Sequence, residues 1–414
     1  MKYCRRCCYP ENHPLNIVFD DEGICSGCRI HEEKDLIDWS KQENKLFGLL
    51  NDYKCKIPEK WDCIIPVTGA SDSYFIVDTI KNRFKMNPLL VSYNKHYNTE
   101  LGIRNLAYLR TIFDCDIITK TVDPAIVKKI TRATLNERGS IYWHILAGST
   151  AFPVQIAVKF KIPLIIWGVH QGCDQIGMFS HLDEVEMTGK YRRDHDLMGL
   201  DEEYLLDGNY GIEDGDIEAF TYPHAKEIES VGVRGIYLSN YIRWDTKAQH
   251  EKMIDKYGYE SGIAQRTIDN YNYVDCHHYT GLHDYIKFLK FGYGKITDNV
   301  NREIRFGRLS RNEGIDLIKS YQLIRPKGIH LFCEWLGITE SELFEHIGQH
   351  RDSDIWTYNE NNGWELLDSV VNHRNETIPF RGPEVNGCTF LKTDNRSDLA
   401  SDKEYILIAK GYIN

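Results

Sequence analysis

Short apolar runs alternate with longer amphipathic stretches through the first half of the chain. Asp62 to Val67, Pro88 to Tyr93, Cys115 to Val122 and Pro163 to Trp167 read as buried strands, each a brief apolar run bounded by polar or turn-forming residues. Tyr74 to Ile80, Thr99 to Phe113, Pro124 to Arg138 and Ala151 to Phe160 read as the helices between them. Strands alternating with helices connect by right-handed crossovers, which predicts an α/β domain on a doubly wound parallel sheet. Ligands of such sheets sit at the carboxyl ends of the strands. That rule places Ser92, Tyr93 and Asn94 after one strand, and Gly168, Val169 and His170 after another, in a single crevice.

The second half is patterned differently. The stretch from Tyr237 to Tyr273 is rich in Tyr and Trp and reads as core, and Leu331 to Leu336 and Leu343 to Ile347 read as two short helices. A mainly helical region is expected from 216 to 414, with Glu404 to Lys410 as a possible closing strand.

At 414 residues the chain is long enough for two or three units. Apolar residues make up 42% and charged residues 27%, ordinary values for a folded protein, so disorder is not the default reading. No apolar run approaches the roughly 18 to 20 residues that span a bilayer. The beginning, Met1 to Cys8, lacks the apolar core of a secretory signal, so a cytoplasmic protein with no membrane partner is expected. The formal charge of −11 disfavours a broad nucleic-acid surface, and no nucleic acid is expected as partner.

Twelve cysteines in a reducing compartment point to metal ligation or small apolar filling rather than disulfides. Cys4 with Cys7 and Cys25 with Cys28 form two C-x2-C pairs separated by 17 residues. Two such knuckles can close a tetrahedral zinc shell with bonds of about 2.3 Å, so a structural zinc ribbon is expected over 1–50. An iron–sulfur or redox role is the alternative. Cys8 reads as a bystander, and the scattered Cys55, Cys63, Cys115, Cys173, Cys276, Cys333 and Cys388 as fillers.

The strand ending at Pro66 and Val67 runs into Thr68-Gly69-Ala70-Ser71-Asp72-Ser73 and then a helix. Small hydroxylated residues between a strand and a helix start present backbone N–H groups and a positive dipole end to phosphate. The loop lacks the Gly-Lys-Ser/Thr ending of a P-loop and the spacing of a dinucleotide fingerprint. It resembles the Ser-Gly-Gly-x-Asp-Ser signature of PP-loop ATP pyrophosphatases, with Thr68 for Ser and Ala70 for the second Gly. Some subfamilies have Lys where this chain has Ser71. A PP-loop domain is thus expected over 51–215, binding ATP through Pro66 to Ser73, Ser92, Tyr93, Asn94 and Gly168.

Tyr97 to Leu106, Ala151 to Phe160, Ile162 to Gly168, Val231 to Tyr237 and Lys290 to Asp298, together with the four cysteines, make the chain similar to one PP-loop branch. That branch is the N-acetyl sugar amidotransferases of bacterial surface-glycan and nonulosonic acid synthesis, and the likeness runs from residue 4 to about 330. The resemblance implies that ATP adenylates the acetamido oxygen of a nucleotide-linked sugar and that ammonia then displaces AMP, leaving an acetamidino group. It also implies partner subunits, a glutaminase and a cyclase-like barrel, as the ammonia source. The family commonly has Glu where this chain has Val169.

Among candidate roles, Asp72 suits a carboxylate for Mg²⁺ on the phosphates. Thr68 and Ser73 offer hydroxyls, Lys290 a cation for phosphate charge, and His170 a further catalytic contact. Asp174, His181, the paired Arg192 and Arg193, Gly292 and Gly294 are the candidates for the sugar nucleotide, arginine forks suiting phosphates. Arg302 and Arg305 share a helical face. For most of these a cap, a loop or a solvated charge is the plainer alternative. The rival functions are a tRNA thiolase, for which only Cys173 is suitably placed, and an ATP-binding subunit impaired by Ser71 and Val169.

Overall fold

The computed structural model describes residues 1–378 apart from 16, 56, 58, 59, 209, 272, 273 and 277; the strand expected at Glu404 to Lys410, and Cys388, lie outside the described residues. Five parallel strands form the central sheet: β1 (Cys63–Pro66), β2 (Pro88–Tyr93), β3 (Ile117–Lys120), β4 (Leu164–Trp167) and β5 (Arg234–Tyr237), in the order β3-β2-β1-β4-β5. The chain steps outward from β1 to β3, then returns to add β4 on the other side of β1. The topological switch point therefore lies between β1 and β4.

Alternation along the strands explains the two covering layers. Cys63 and Ile65 pack with Leu46 and Leu50 of α2 (Trp39–Tyr53), Tyr74 and Val77 of α3 (Ser71–Val77) and Leu109 of α4 (Glu100–Ile112). Ile64, Leu89 and Val91 face the other way, onto Phe152, Val154 and Ala157 of α6 (Trp143–Phe160). Local signals agree with these elements. Thr99 caps α4, and α5 (Pro124–Arg138) begins behind Asp123 with Pro124 in its first turn and stops at Gly139 in the left-handed region.

Three expectations are corrected. Helix α6 begins at Trp143, eight residues before the expected Ala151. Gly148, Ser149 and Thr150 are poor helix formers, but Gly148 is what lets the helix lie against the Tyr93 ring, where a Cβ would come within 2.4 Å. The parallel sheet does not end before 215, since β5 pairs along β4 from Leu164↔Arg234 to Trp167↔Tyr237. Nor is 1–50 a self-contained ribbon. Two isolated antiparallel bridges lead into α1 (Ser26–Leu36), whose first turn carries Cys28, and α2 belongs to the sheet's own core.

The remainder is mainly helical, as expected: α7 (Thr246–Tyr257), α8 (His278–Phe291), α9 (Lys295–Arg305), α10 (Arg311–Tyr321), α11 (Ile329–Leu336) and α12 (Glu340–Gly348). A hairpin of β6 (Trp356–Asn359) and β7 (Gly363–Leu366) follows, paired antiparallel. Among the described residues, no helix is long and apolar enough to cross a membrane.

Candidate functional site

The loop after β1 is shaped by its own hydroxyls. Thr68 N–H donates to Ser73 Oγ (2.9 Å), and Ala70 N–H donates to Thr68 Oγ1 (3.1 Å). Both hydroxyls thus act as acceptors inside the loop and keep their protons to donate outward. Ser71 opens α3, and Asp72 stands in its first turn, its side chain about a third exposed. The side chain of Ser71 lies outside what is described.

Thr68 and Gly69 line a cavity of about 230 Å³ at the carboxyl edge of the sheet. Ser92, Tyr93 and Asn94 at the end of β2, Thr119 of β3 and Arg110 of α4 line it as well. Asn94 is fixed by its own bonds: its N–H donates to the Lys120 carbonyl (2.9 Å), and its Oδ1 accepts from His96 N–H (2.9 Å) and Asn98 Nδ2 (2.7 Å). The fold therefore gathers Thr68, Gly69, Ser92, Tyr93 and Asn94 around one space.

One further lining residue comes from far along the chain. Asp275 lines the same cavity and is paired with Lys95. Burial works against the Lys95 charge, but the Asp275 carboxylate outweighs it and holds the ammonium pKa above its ordinary value. A stack of backbone explains how close these segments lie. A Cβ on Gly69 would sit 2.4 Å from the Gly102 carbonyl oxygen, and a Cβ on Gly102 would sit 2.7 Å from the Asp275 Cα. Side chains at either glycine would wedge loop, α4 and the 274–275 segment apart. One further contact escaped the sequence: His250 Nε2 on α7 lies 2.8 Å from Asp72 Oδ1.

The candidates beyond β4 and β5 behave otherwise. His170 is fully buried among the rings of Tyr191, Tyr237 and Phe179, and its Nδ1 accepts from Cys173 N–H (3.2 Å). Burial drives its pKa down to about 3, so it is a neutral core imidazole. His181 is equally buried, with its pKa also lowered to about 3 by burial. Asp174 pairs with Lys34 of α1; burial would raise its pKa, but the Lys34 ammonium outweighs that and holds it below the usual carboxylate range. Arg192 is not available to a phosphate: buried, it pairs with Glu202 (3.2 Å) and donates to Thr150 Oγ1 and the Phe220 carbonyl. Its neighbour Arg193 is exposed and bonded to Asp194 (2.9 Å). Cys173 is buried, its thiol pushed up by burial, which leaves the thiolase rival without an accessible nucleophile there.

Lys290 does not reach the loop. Its Nζ donates to the Arg138 carbonyl at the end of α5, and burial lowers its pKa to about 8. Gly292 adopts φ +74° against Ile355, and Gly294 packs on Asp284 at the start of α9, so both serve packing. Gly168 lies against Ile76 and Trp244, and Val169 packs against the sheet core.

The four cysteines do come together. Cys4, Cys7, Cys25 and Cys28 are buried with all ligand atoms within 4.8 Å of one another. Cys7 Sγ and Cys25 Sγ are 3.6 Å apart, near the edge of about 3.8 Å that tetrahedral bonds of about 2.3 Å require. Donors surround the cluster, as a shell of four thiolates needs. Cys7 N–H and Cys25 N–H donate to Cys4 Sγ (3.4 and 3.3 Å), and Arg305 Nη2 lies 3.6 Å from Cys25 Sγ. Arg305 also donates to the Asp174 and Gln175 carbonyls, and Arg311 Nε donates to the carbonyls of Cys4 (3.1 Å) and Cys7 (2.9 Å). Cys8 points elsewhere, its N–H bonded to Asn301 Oδ1 (2.7 Å). Arg302 pairs instead with Asp269 and Glu303.

Residues 251–371 match the family described as "LPS biosynthesis protein WbpG-like, C-terminal domain". This segment is similar to that family, and is called the WbpG-like domain below. It runs from α7 to the final described turns, and it is the WbpG-like domain that contributes Asp275 to the cavity and Tyr259, whose hydroxyl donates to the Tyr271 carbonyl (2.7 Å) and approaches the Gly69 carbonyl (3.4 Å). Among solved structures, the chain is similar to an NH3-dependent NAD synthetase from Campylobacter jejuni, at 10% identity and a TM-score of 0.27, over 53% of this chain and 84% of that one. It is likewise similar to an NMN synthetase from Francisella tularensis, at 10% identity and a TM-score of 0.27, over 55% and 98%. No curated protein matches the sequence. The fold assignment rests on strand order and crossovers, not on those superpositions.

Proposed function

We propose that the chain is an ATP-dependent amidotransferase of surface-glycan synthesis, forming an acetamidino group from the N-acetyl group of a nucleotide-linked sugar. The observation that carries this reading is the shared cavity, which is lined both by the loop after β1 and by Asp275 of the WbpG-like domain. A loop of this composition suits the leaving pyrophosphate, and a domain typical of lipopolysaccharide synthesis suits the sugar that receives the adenylate.

In this reading the acetamido oxygen attacks the α-phosphorus, the bond to pyrophosphate breaks, and ammonia then adds at the activated carbon as AMP departs. Thr68 and Ser73 donate their hydroxyl protons to the departing phosphates. Asp72 fits a ligand for Mg²⁺, which commonly takes one or two carboxylates beside phosphate oxygens; such an ion supplies charge neutralisation at the phosphates. Arg110 adds positive charge at the cavity wall, whereas Lys95 is already neutralised by Asp275. The buried cysteine cluster holds structural Zn²⁺. Ammonia comes from free ammonium or from glutaminase and cyclase-like partner subunits. Lys290, engaged with the Arg138 carbonyl, and His170, buried among aromatic rings, carry no step.

The test is incubation with ATP, Mg²⁺, ammonium and a panel of UDP-N-acetyl sugars. The expected products are AMP, pyrophosphate and a sugar nucleotide in which oxygen is replaced by NH, seen by mass spectrometry. Absence of AMP with every sugar, with sulfur transfer to tRNA instead, would reverse the assignment.

A further inference from the structure

We infer that His250 is a positioning residue for Asp72, holding its carboxylate in the one orientation that presents its second oxygen to the ion on the triphosphate. The inference rests on the function proposed above and adds to it a residue 178 positions from the loop.

His250 is fully buried, whereas Asp72 is about a third exposed. A carboxylate only accepts, so the proton of this contact sits on His250 Nε2 and is given to Asp72 Oδ1 at 2.8 Å. Nδ1 is buried with no hydrogen-bond partner among the described residues, so the bond to Asp72 is the single polar tie of the ring. A buried imidazole with one partner is expensive unless that bond serves a purpose. The ring is held by packing, with Tyr271 edge-on at 5.4 Å, and α7 lies directly along α3. Asp72 stands in the first turn of α3, and among the described residues the bond from His250 is the hydrogen bond that ties its side chain. Oδ1 is thereby occupied, and the carboxylate's other oxygen is the one left to meet an ion. Donors that orient a metal-ligating side chain typically change metal affinity or activity 10–100-fold when removed.

The geometry also says where the constraint comes from. His250 stands one residue before the WbpG-like match begins at 251, on the helix that leads into it, and that helix sets the orientation of a carboxylate in the loop.

Calorimetric titration of MgATP, with and without Mg²⁺, into the full chain and its variants tests this. His250→Leu is expected to weaken the Mg²⁺-dependent part of ATP binding about 10–100-fold, while ATP alone binds as before. His250→Gln places an amide N–H near the Nε2 position and is expected to restore affinity to within a few-fold, whereas the shorter His250→Asn is not. In an Asp72→Asn background, His250→Leu should have no further effect, which a merely structural role would not produce. Equal MgATP affinity in parent, Gln and Leu proteins overturns the inference and leaves the proposed function standing. A parent that binds no MgATP overturns both. Should His250→Leu fail to fold, the contrast between Gln and Asn decides.

Discussion

The two halves of the sheet's carboxyl edge are finished in opposite ways. After β1, β2 and β3 the chain leaves an open cavity whose walls come from the loop, α4 and the WbpG-like domain. After β4 and β5 it closes over with His170, Tyr191, Tyr237 and Phe179 packed ring against ring, and Lys34 and Arg192 pair off the remaining charge. Both edges carry histidine, aspartate and arginine in polar-looking sequence. The difference teaches that residue type nominates a site, but whether partners come from elsewhere in the chain decides whether it stays available.

Removing the metal should disturb the closed half most. The cysteine cluster backs it directly: Gly177 presses on the Ser26 carbonyl, and Arg305 bridges Cys25 and the carbonyls of Asp174 and Gln175. Structural zinc contributes on the order of 10 kcal/mol to isolated modules. Chelation or Cys25→Ser should therefore collapse the thermal midpoint and open the amides of 172–176 to hydrogen exchange. A stripped protein melting unchanged would show that the module stands without metal.

Next in size, Arg192→Ala leaves Glu202 buried without its partner and should cost about 3–5 kcal/mol in urea unfolding. MgATP affinity of the folded fraction should stay the same, and a selective loss of nucleotide affinity would return Arg192 to the site. Asp72→Asn reverses that pattern. AMP formation should fall on the order of a hundredfold, about 2.7 kcal/mol in the barrier, with little change in the urea midpoint.

The closed half also predicts an acid limb of stability. The folded pKa of His170 is lowered by burial from 6.5 to about 3, so its contribution is fully present above pH 6.5 and is lost as pH falls toward 3. In that window the unfolded chain binds one proton more, a slope of about 1.4 kcal/mol per pH unit. His170→Leu should flatten the slope by one proton between pH 4 and 6; an unchanged slope would place a charged imidazole in the core. The smallest effect belongs to Arg193→Ala, where an exposed pair with Asp194 is lost, within about 0.5 kcal/mol and without change in turnover.

Four of the five strands, the loop at 68–73 and the cysteine ligand set were legible because each is a local signal: an apolar run, a strand-to-helix turn, two C-x2-C pairs. β5 was hidden because Arg234-Gly235-Ile236-Tyr237 is too short and too mixed to show a period, and pairing with β4 makes it a strand. His170 and Arg192 misled because polar residues in a glycine-bearing stretch resemble a loop until Cys173, Phe179 and Tyr191 fold over them. His250 and Asp275 had no local signal at all, since their roles arise from contacts with Asp72 and Lys95. Gly102 was visible inside a family-like stretch, but its reason, the backbone stack beneath Asp275, exists only in three dimensions.

The clasp around the cysteines also sets a timetable for synthesis. Asn301, Arg305 and Arg311, which satisfy the carbonyls, amides and sulfur shell of Cys4, Cys7, Cys8 and Cys25, leave the ribosome some three hundred residues after the first of those cysteines. The knuckles can capture metal early, but their surroundings cannot be completed until α9 and α10 arrive. A nascent chain stalled before Arg311 should hold its metal in a half-built, exchangeable shell.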